Sequence, residues 1–435
     1  MALLKQFRDP QLSLWQSAVD EILASQQAGG AMGLEGGAPQ RPDTSHPLME
    51  EVTSFCSAAE LGQLVPTGVP KGPMAAEGLL DQARYCSGLA LKFAKGLVKL
   101  IVLGRKDDLD RAKSQFQFGD CDPAYAEAVL KYAEYVASGG RVPYRRFKNI
   151  NDYVIEGKLP DQARIALLGD WGTGQPEAKR LLARIKTKNP DAVIHLGDVY
   201  YSGTGFEMKN YFLDPWFQIL DLKRHPIPTF TLSGNHDMYA GGAPYYAAID
   251  QLGQPSSYFC LRNRNWQFIA IDTGLHAIKP GGGMTYLEDT EVEWVKDKVR
   301  NAGGRRTVLL SHHQLFSANE DIGGQEFNTL LYKQLADIFP QVDYWFWGHE
   351  HDLVVFGEYL GLKRGRCIGH GAFPVGTGEI PPKPSNPDVP VNPAFKLDTD
   401  GDCFLHGYAI MELDGAQAKV SYYQDSDSHE LIGTE

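Results

Sequence analysis

The stretch AVIHLGDVYY, residues 192 to 201, decides how this chain is read. Its opening run is apolar apart from His195, as suits a strand buried on both faces. It breaks at Gly197 and ends in Asp198, Val199, Tyr200 and Tyr201, so a carboxylate and phenols follow directly on a buried strand. Outward from it the same texture recurs in RIALLGDWG (164–172), PTFTLSGNHD (228–237), TVLLSHH (307–313) and DYWFWGHEH (343–351). Each apolar run stops on Asp, Asn or His, the side chains that hold hard and borderline metal ions.

Between these runs, Glu177 to Lys188, Glu291 to Asn301 and Glu326 to Phe339 read as helices, and WQFIAID (266–272) as a further strand. Alternating strands and helices predict a layered α/β arrangement. Tyr258 to Asp272, with Asn263-Arg264-Asn265 between its arms, reads as a hairpin. Tyr408 to Tyr423, turning at Asp414-Gly415, reads as another. A mixed sandwich of two sheets with helices outside is expected over residues 160–430. Residues 1–150 differ: Pro10 to Ala28, Leu79 to Leu103 and Pro123 to Ser138 read as helices, the first followed by a Gly- and Pro-rich linker. They are expected to form a mostly helical N-terminal region with no metal-binding cluster, a cap or dimerisation element, with a lid that selects substrate as the alternative.

At 435 residues, 43% hydrophobic and 22% charged, the composition is that of an ordinary globular protein. The net charge of −12, with no basic run, argues against a nucleic-acid partner. No apolar segment approaches the roughly 18–20 residues that span a bilayer, and the N-terminus does not read as a secretory signal. No membrane association and a cytoplasmic location are expected, and the six scattered cysteines read as free thiols. DTDGD (398–402) has its glycine at the fourth place, which rejects an EF-hand loop and leaves a turn. YWFW (344–347) reads as core strand.

Polar groups placed after buried strands gather at the carboxyl edge of the sheet, where α/β proteins put their sites. His349 and His351 share a side by strand alternation, with Glu350 opposite. Asp170, Asp198, Asn235 and His312 each follow a different strand and are expected to converge. His195, inside its strand, reads as packed core. His313 is expected to point away behind His312, and His370 is left open as a pocket residue.

Together, GDxG (169–172), GDxxY (197–201), GNHD (234–237), a histidine after a strand (His312) and GHxH (348–351) resemble the calcineurin-like metallophosphoesterase superfamily, in its purple acid phosphatase variant. The resemblance covers roughly Arg164 to Asp352. It implies a four-layer α/β/β/α sandwich and two metal ions, Fe, Mn or Zn, with a tyrosinate favouring Fe(III). Carried onto this chain, it makes Asp198 the bridge, adds Asp170, Tyr201 and His351 around one ion, and places Asn235, His312 and His349 around the other. Gly172 stands where the commoner pattern has His, so Tyr201 fills that gap, with Tyr200 as its neighbouring competitor. His236 would face the substrate, stabilising the transition state or protonating the leaving oxygen, and Asp237 would orient it.

Two ions sharing a carboxylate activate water and clamp phosphate oxygens, which suits phosphoryl transfer. The substrate expected is a small-molecule phosphate ester, a monoester first. The alternative is a phosphodiesterase or pyrophosphohydrolase acting on a nucleotide-like molecule. QLFSANEDIGGQEF (314–327) lacks the further substrate-facing histidines of purple acid phosphatases, which speaks against a broad acid-optimum monoesterase. MYAGG after GNHD lacks the arginine of protein phosphatases. A non-catalytic scaffold is disfavoured by the intact Asp198, Asn235, His236, His349 and His351.

Overall fold

A computed structural model describes residues 142–200, 202–277, 284–378, 384–401 and 403–435. The helices expected before residue 141 lie outside the described residues, and so does Tyr201. Residues 142–238 and 242–435 form one compact body. Among the described residues, no helix is long and apolar enough to cross a membrane.

The body is built on two mixed sheets. The first contains β2 (Gln162–Leu168), β3 (Ala192–His195), β4 (Thr229–Thr231), β13 (Gly407–Asp414), β14 (Gln417–Gln424) and β15 (Leu431–Thr434), in the order β15-β14-β13-β2-β3-β4. The second contains β1 (Val154–Ile155), β5 (Phe259–Arg262), β6 (Trp266–Ala270), β7 (Arg306–Leu310), β8 (Val342–Trp347), β9 (Leu353–Val355) and β10 (Gly365–Ile368), in the order β1-β5-β6-β7-β8-β10-β9. Strands β2, β3 and β4 are parallel, as are β6, β7, β8 and β10, so their carboxyl ends share one edge of each sheet. A small antiparallel pair, β11 (Thr399–Asp400) and β12 (Cys403–Phe404), makes the turn expected at DTDGD.

Three apolar cores give four layers. Ile165, Leu167, Ile194 and Phe230 from the first sheet meet Phe268, Val308, Phe346 and Ile368 from the second, between the sheets. Alternate residues of the same strands face outward, because strand side chains alternate. Ala166, Leu168 and Val193 pack under α1 (Pro176–Thr187), α2 (Asp214–Ile219) and α3 (Ala243–Leu252). Ile269, Leu309 and Trp345 pack under α4 (Asp289–Arg300) and α5 (Thr329–Leu335). The expected α/β/β/α sandwich is therefore present, with both hairpins where the sequence places them.

The helices follow simple rules. In α1, Ala178, Leu181, Leu182 and Ile185 recur at helical spacing and are buried, while Pro176 and Glu177 open it and Arg184 and Lys186 close it, in keeping with the helix dipole. Asn328 caps α5 by accepting from the amides of Leu330 and Leu331. The described body also takes in residues 142–159, where Tyr144, Phe147, Ile150 and Val154 pack on the outer core of the second sheet. Cys260, Cys367 and Cys403 are free thiols.

Candidate metal centre

Among the described residues, each motif residue sits just beyond the end of a parallel strand. Asp170 follows β2, Asp198 follows β3, and Asn235 to Asp237 form a single helical turn after β4. His312 follows β7, and His349 and His351 follow β8. The strand pattern brings them to one edge, as expected of the carboxyl ends of such sheets.

Four of the candidate ligands hold left-handed backbone: Asp170 at φ 57°, Asp198 at 73°, His349 at 68° and His351 at 54°. Non-glycine residues adopt this region at a cost, and it persists where the surroundings over-determine it. Here the surroundings are the other motifs. The Asp170 carboxylate accepts the His349 amide (2.8 Å). The Asp237 carboxylate accepts three amides, from Gly234 (2.7 Å), Asp198 (2.9 Å) and Val199 (3.0 Å). Asp237 thus acts on the His236 turn through the main chain, locking it to the Asp198 loop. Asp198 Oδ1 in turn accepts the His236 amide at 3.0 Å.

The side chains form two groups. In one, the Tyr200 hydroxyl lies 2.7 Å from Asp170 Oδ1 and 2.8 Å from His351 Nε2, and that nitrogen is 3.3 Å from Asp170 Oδ1. Ligand atoms of Asp170, Asp198 and His351 all lie within 4.8 Å of one another. In the other, His312 Nε2 lies 3.2 Å from Asn235 Oδ1, 3.2 Å from Asp198 Oδ2 and 3.3 Å from His349 Nδ1. Bonds of about 2.0–2.2 Å to one ion put neighbouring ligand atoms roughly 3 Å apart, so both groups have the spacing of coordination shells. Asp198 Oδ2 is buried without a well-formed hydrogen bond. An orphaned carboxylate oxygen between imidazoles fits a position facing cations. His312 Nδ1 is 3.0 Å from the Leu196 carbonyl; donating there leaves the lone pair of the neutral ring on Nε2.

The electrostatics agree. Burial lowers the pKa of His312, but the Asp198 carboxylate outweighs it and holds the imidazole up at about 9. His349 is driven down to about 3 by burial and then by His312. Burial would raise Asp198, yet the surrounding imidazoles hold it well below the usual carboxylate range. The charges of these neighbours thus offset one another.

His236 is nearly buried, with Nε2 3.8 Å from Asp198 Oδ2 and its ring 4.6 Å from that of Tyr200. His195 is core, as expected: Trp171 donates its amide to Nε2 at 3.4 Å, and Nδ1 meets Thr231 Oγ1 at 2.9 Å. His370 is buried against Gly407 at the start of β13. His313 departs from expectation. Its ring lies 4.4 Å from that of His349 and 4.8 Å from that of His312, among the candidate ligands. Strand β7 stops at Leu310, so alternation does not extend to it. Glu350 does lie opposite, buried and bonded to Ser317 and the Trp347 indole. Phe373, which no motif marks, stacks on His351 at 4.2 Å and meets Tyr200 at 4.8 Å.

Close packing at this edge gives a direct test. A β-carbon on Gly234 would overlap the Asp198 carboxylate. Gly234→Ala is expected to weaken Mn(II) binding by about 10- to 100-fold, the usual effect of disturbing a ligand's support. Calorimetric titration measures this; unchanged affinity would show that Asp198 does not need its observed position.

The sequence pattern of calcineurin-like phosphoesterases matches residues 163–353. The chain is 28% identical over 151 residues to the 3',5'-cyclic adenosine monophosphate phosphodiesterase CpdA of Escherichia coli (strain K12), covering 32% of this chain and 50% of that protein. It is 27% identical over 175 residues to the glycerophosphodiester phosphodiesterase GpdQ of Enterobacter lignolyticus (strain SCF1), covering 39% and 58%. The chain thus spans about half the length of these curated relatives. Among solved structures it is similar to GAP50, the anchor in the inner membrane complex of Plasmodium, at 17% identity and a TM-score of 0.44, covering 63% of this chain and 88% of that one. Motif order, sandwich and sequence match point the same way: residues 163–353 of this chain are similar to the calcineurin-like phosphoesterases.

Proposed function

We propose that this protein is a metal-dependent hydrolase of small-molecule phosphate diesters. The observation that carries the reading is the pair of ligand groups sharing Asp198. Asp170, His351 and the Tyr200 hydroxyl would hold one ion, and Asn235, His312 and His349 the other, drawn from Fe, Mn and Zn. Tyr201, the tyrosine favoured by the motif, lies outside the described residues; among the described residues, the Tyr200 hydroxyl stands beside Asp170 and His351. When bound, the ions would supply the Lewis acidity that activates water and offsets charge on the phosphate.

The chain's own groups have separate tasks. His236 would hold a proton for the departing oxygen, while Asp237 keeps the turn beneath it in place. Phe373 would cover the His351 and Tyr200 side against water.

Sequence alone puts a monoester first. Three considerations favour a diester. The curated relatives are named for diester cleavage. In addition, the strongest electrostatic partners of Asp170 and Asp198 among the described residues are histidines, with no lysine or arginine among them. A monoester brings roughly −1.5 to −2 of charge at neutral pH and calls for more cations than a diester monoanion. The net charge of −12 also opposes a polyanionic partner.

Parallel assays of bis(p-nitrophenyl) phosphate and p-nitrophenyl phosphate, each with added Mn(II), Fe(II) or Zn(II), test the reading. The diester is expected to show kcat/KM about tenfold or more above the monoester. The reverse ratio would restore the monoester, and no hydrolysis of either would remove the proposal.

A further inference from the structure

We propose that His313 contacts the substrate phosphate as a hydrogen-bond donor whose tautomer is set by Thr273, and that it is not a metal ligand. The inference rests on the function proposed above and adds a specificity residue to that site.

Distance alone would make His313 a ligand, since one of its ring nitrogens lies within 4.8 Å of ligand nitrogens of His312 and His349. Counting hydrogens decides otherwise. Thr273 is fully buried, so its hydroxyl needs partners inside the protein. Thr273 Oγ1 accepts the His313 amide at 3.0 Å and lies 3.0 Å from His313 Nδ1. A hydroxyl has one hydrogen to give, and among the described residues His313 Nδ1 is the acceptor within reach of it. If Nδ1 carried the hydrogen instead, the threonine hydrogen would be buried with no acceptor, which is costly. Nδ1 is therefore the acceptor, and the neutral ring keeps its hydrogen on Nε2. An N–H nitrogen has no lone pair for a cation and is suited to an anion.

The surroundings hold that arrangement firmly. The Thr285 hydroxyl donates to the Thr273 carbonyl at 2.5 Å. The adjoining Asp272 carboxylate takes the Ser233 hydroxyl, just before Gly234, and the Leu275 amide at 3.0 Å. The segment 272–275 thus braces the GNHD turn and His313 together. His312 has no exposed surface, whereas His313 retains 8%, and its ring lies 4.4 Å from that of His349. A rigid neutral donor beside the His349 group suits a phosphate oxygen.

The test uses the metal-loaded full chain with inorganic phosphate as the probe, by calorimetric titration and by competitive inhibition. His313→Ala is expected to retain its metal content by elemental analysis and to bind phosphate about 10- to 100-fold more weakly, the range for a hydrogen bond to a charged group. His313→Gln, whose amide can replace the Nε2 hydrogen, is expected to recover part of the loss. Thr273→Ser should keep phosphate affinity, and Thr273→Val should lose it with metal content intact. Loss of an ion from His313→Ala would make the residue a ligand and overturn the inference, as would unchanged phosphate affinity in that variant. A chain that cleaves no ester but binds phosphate through His313 would sink the proposed function and leave this inference standing. A chain that cleaves esters and ignores the substitution would do the opposite.

Discussion

Asp198→Ala is expected to empty both proposed ion positions and to lower diester hydrolysis by about ten-thousandfold or more. Asp198 belongs to the group with Asp170 and His351, and its Oδ2 also lies 3.2 Å from His312 Nε2 in the other group. Other candidate ligands serve one group, so their loss leaves a partial shell. The same carboxylate holds the imidazole of His312 up at about 9. Without it, His312 reverts toward an ordinary or lowered value, because burial remains and the compensating charge is gone. In the wild-type chain a proton on His312 competes with the ion, so metal affinity should fall as pH drops below about 9. That dependence should flatten in Asp198→Asn, which preserves volume and removes charge. Elemental analysis, rates and calorimetric titrations across pH check these points together. Full metal content with an unchanged rate would show that Asp198 is not the shared ligand.

The candidate site was legible because each ligand block follows an apolar run that the fold buries. In AVIHLGD and TVLLSHH the run ends within a few residues of the ligand, so the end of the strand and the place of the ligand are one signal. Burial on both faces made those runs continuous, which is why the sandwich could be read from them. The details that escaped depend on contacts between distant segments. The left-handed backbone at Asp170, Asp198, His349 and His351 is only weakly marked by residue type, since Asp and His are enriched there yet seldom adopt it. It is held by bonds such as that from the His349 amide to Asp170, 179 positions away in the chain. His313 was misplaced because a two-residue period was extended past Leu310, where β7 ends. Its partner Thr273 lies 40 positions away, and nothing in either segment announces the pairing. Phe373 was missed for the same reason: it follows β10 in a loop, and only folding lays it on His351. The choice between monoester and diester lies in the walls of the site, to which motif spacing is blind.

His236→Ala is expected to lower kcat by about 10²- to 10⁴-fold while leaving metal content nearly intact. The argument separates its main chain from its ring. The His236 amide donates to Asp198 Oδ1 at 3.0 Å, and alanine at this position keeps that donor. The ring nitrogen stands 3.8 Å from Asp198 Oδ2, outside the two ligand groups, so removing it takes nothing from the ions. What it removes is a proton donor near the place where the leaving oxygen gains charge. The size of the loss should then depend on that oxygen. A nitrophenolate departs well without a proton, so bis(p-nitrophenyl) phosphate should show the smaller defect. An alkyl leaving group departs poorly as its anion and should show the larger one. Equal losses for the two would mean that His236 stabilises charge on the phosphate itself and transfers no proton. An unchanged rate for both would remove it from the reaction, since a ring packed 4.6 Å from Tyr200 would then serve packing alone.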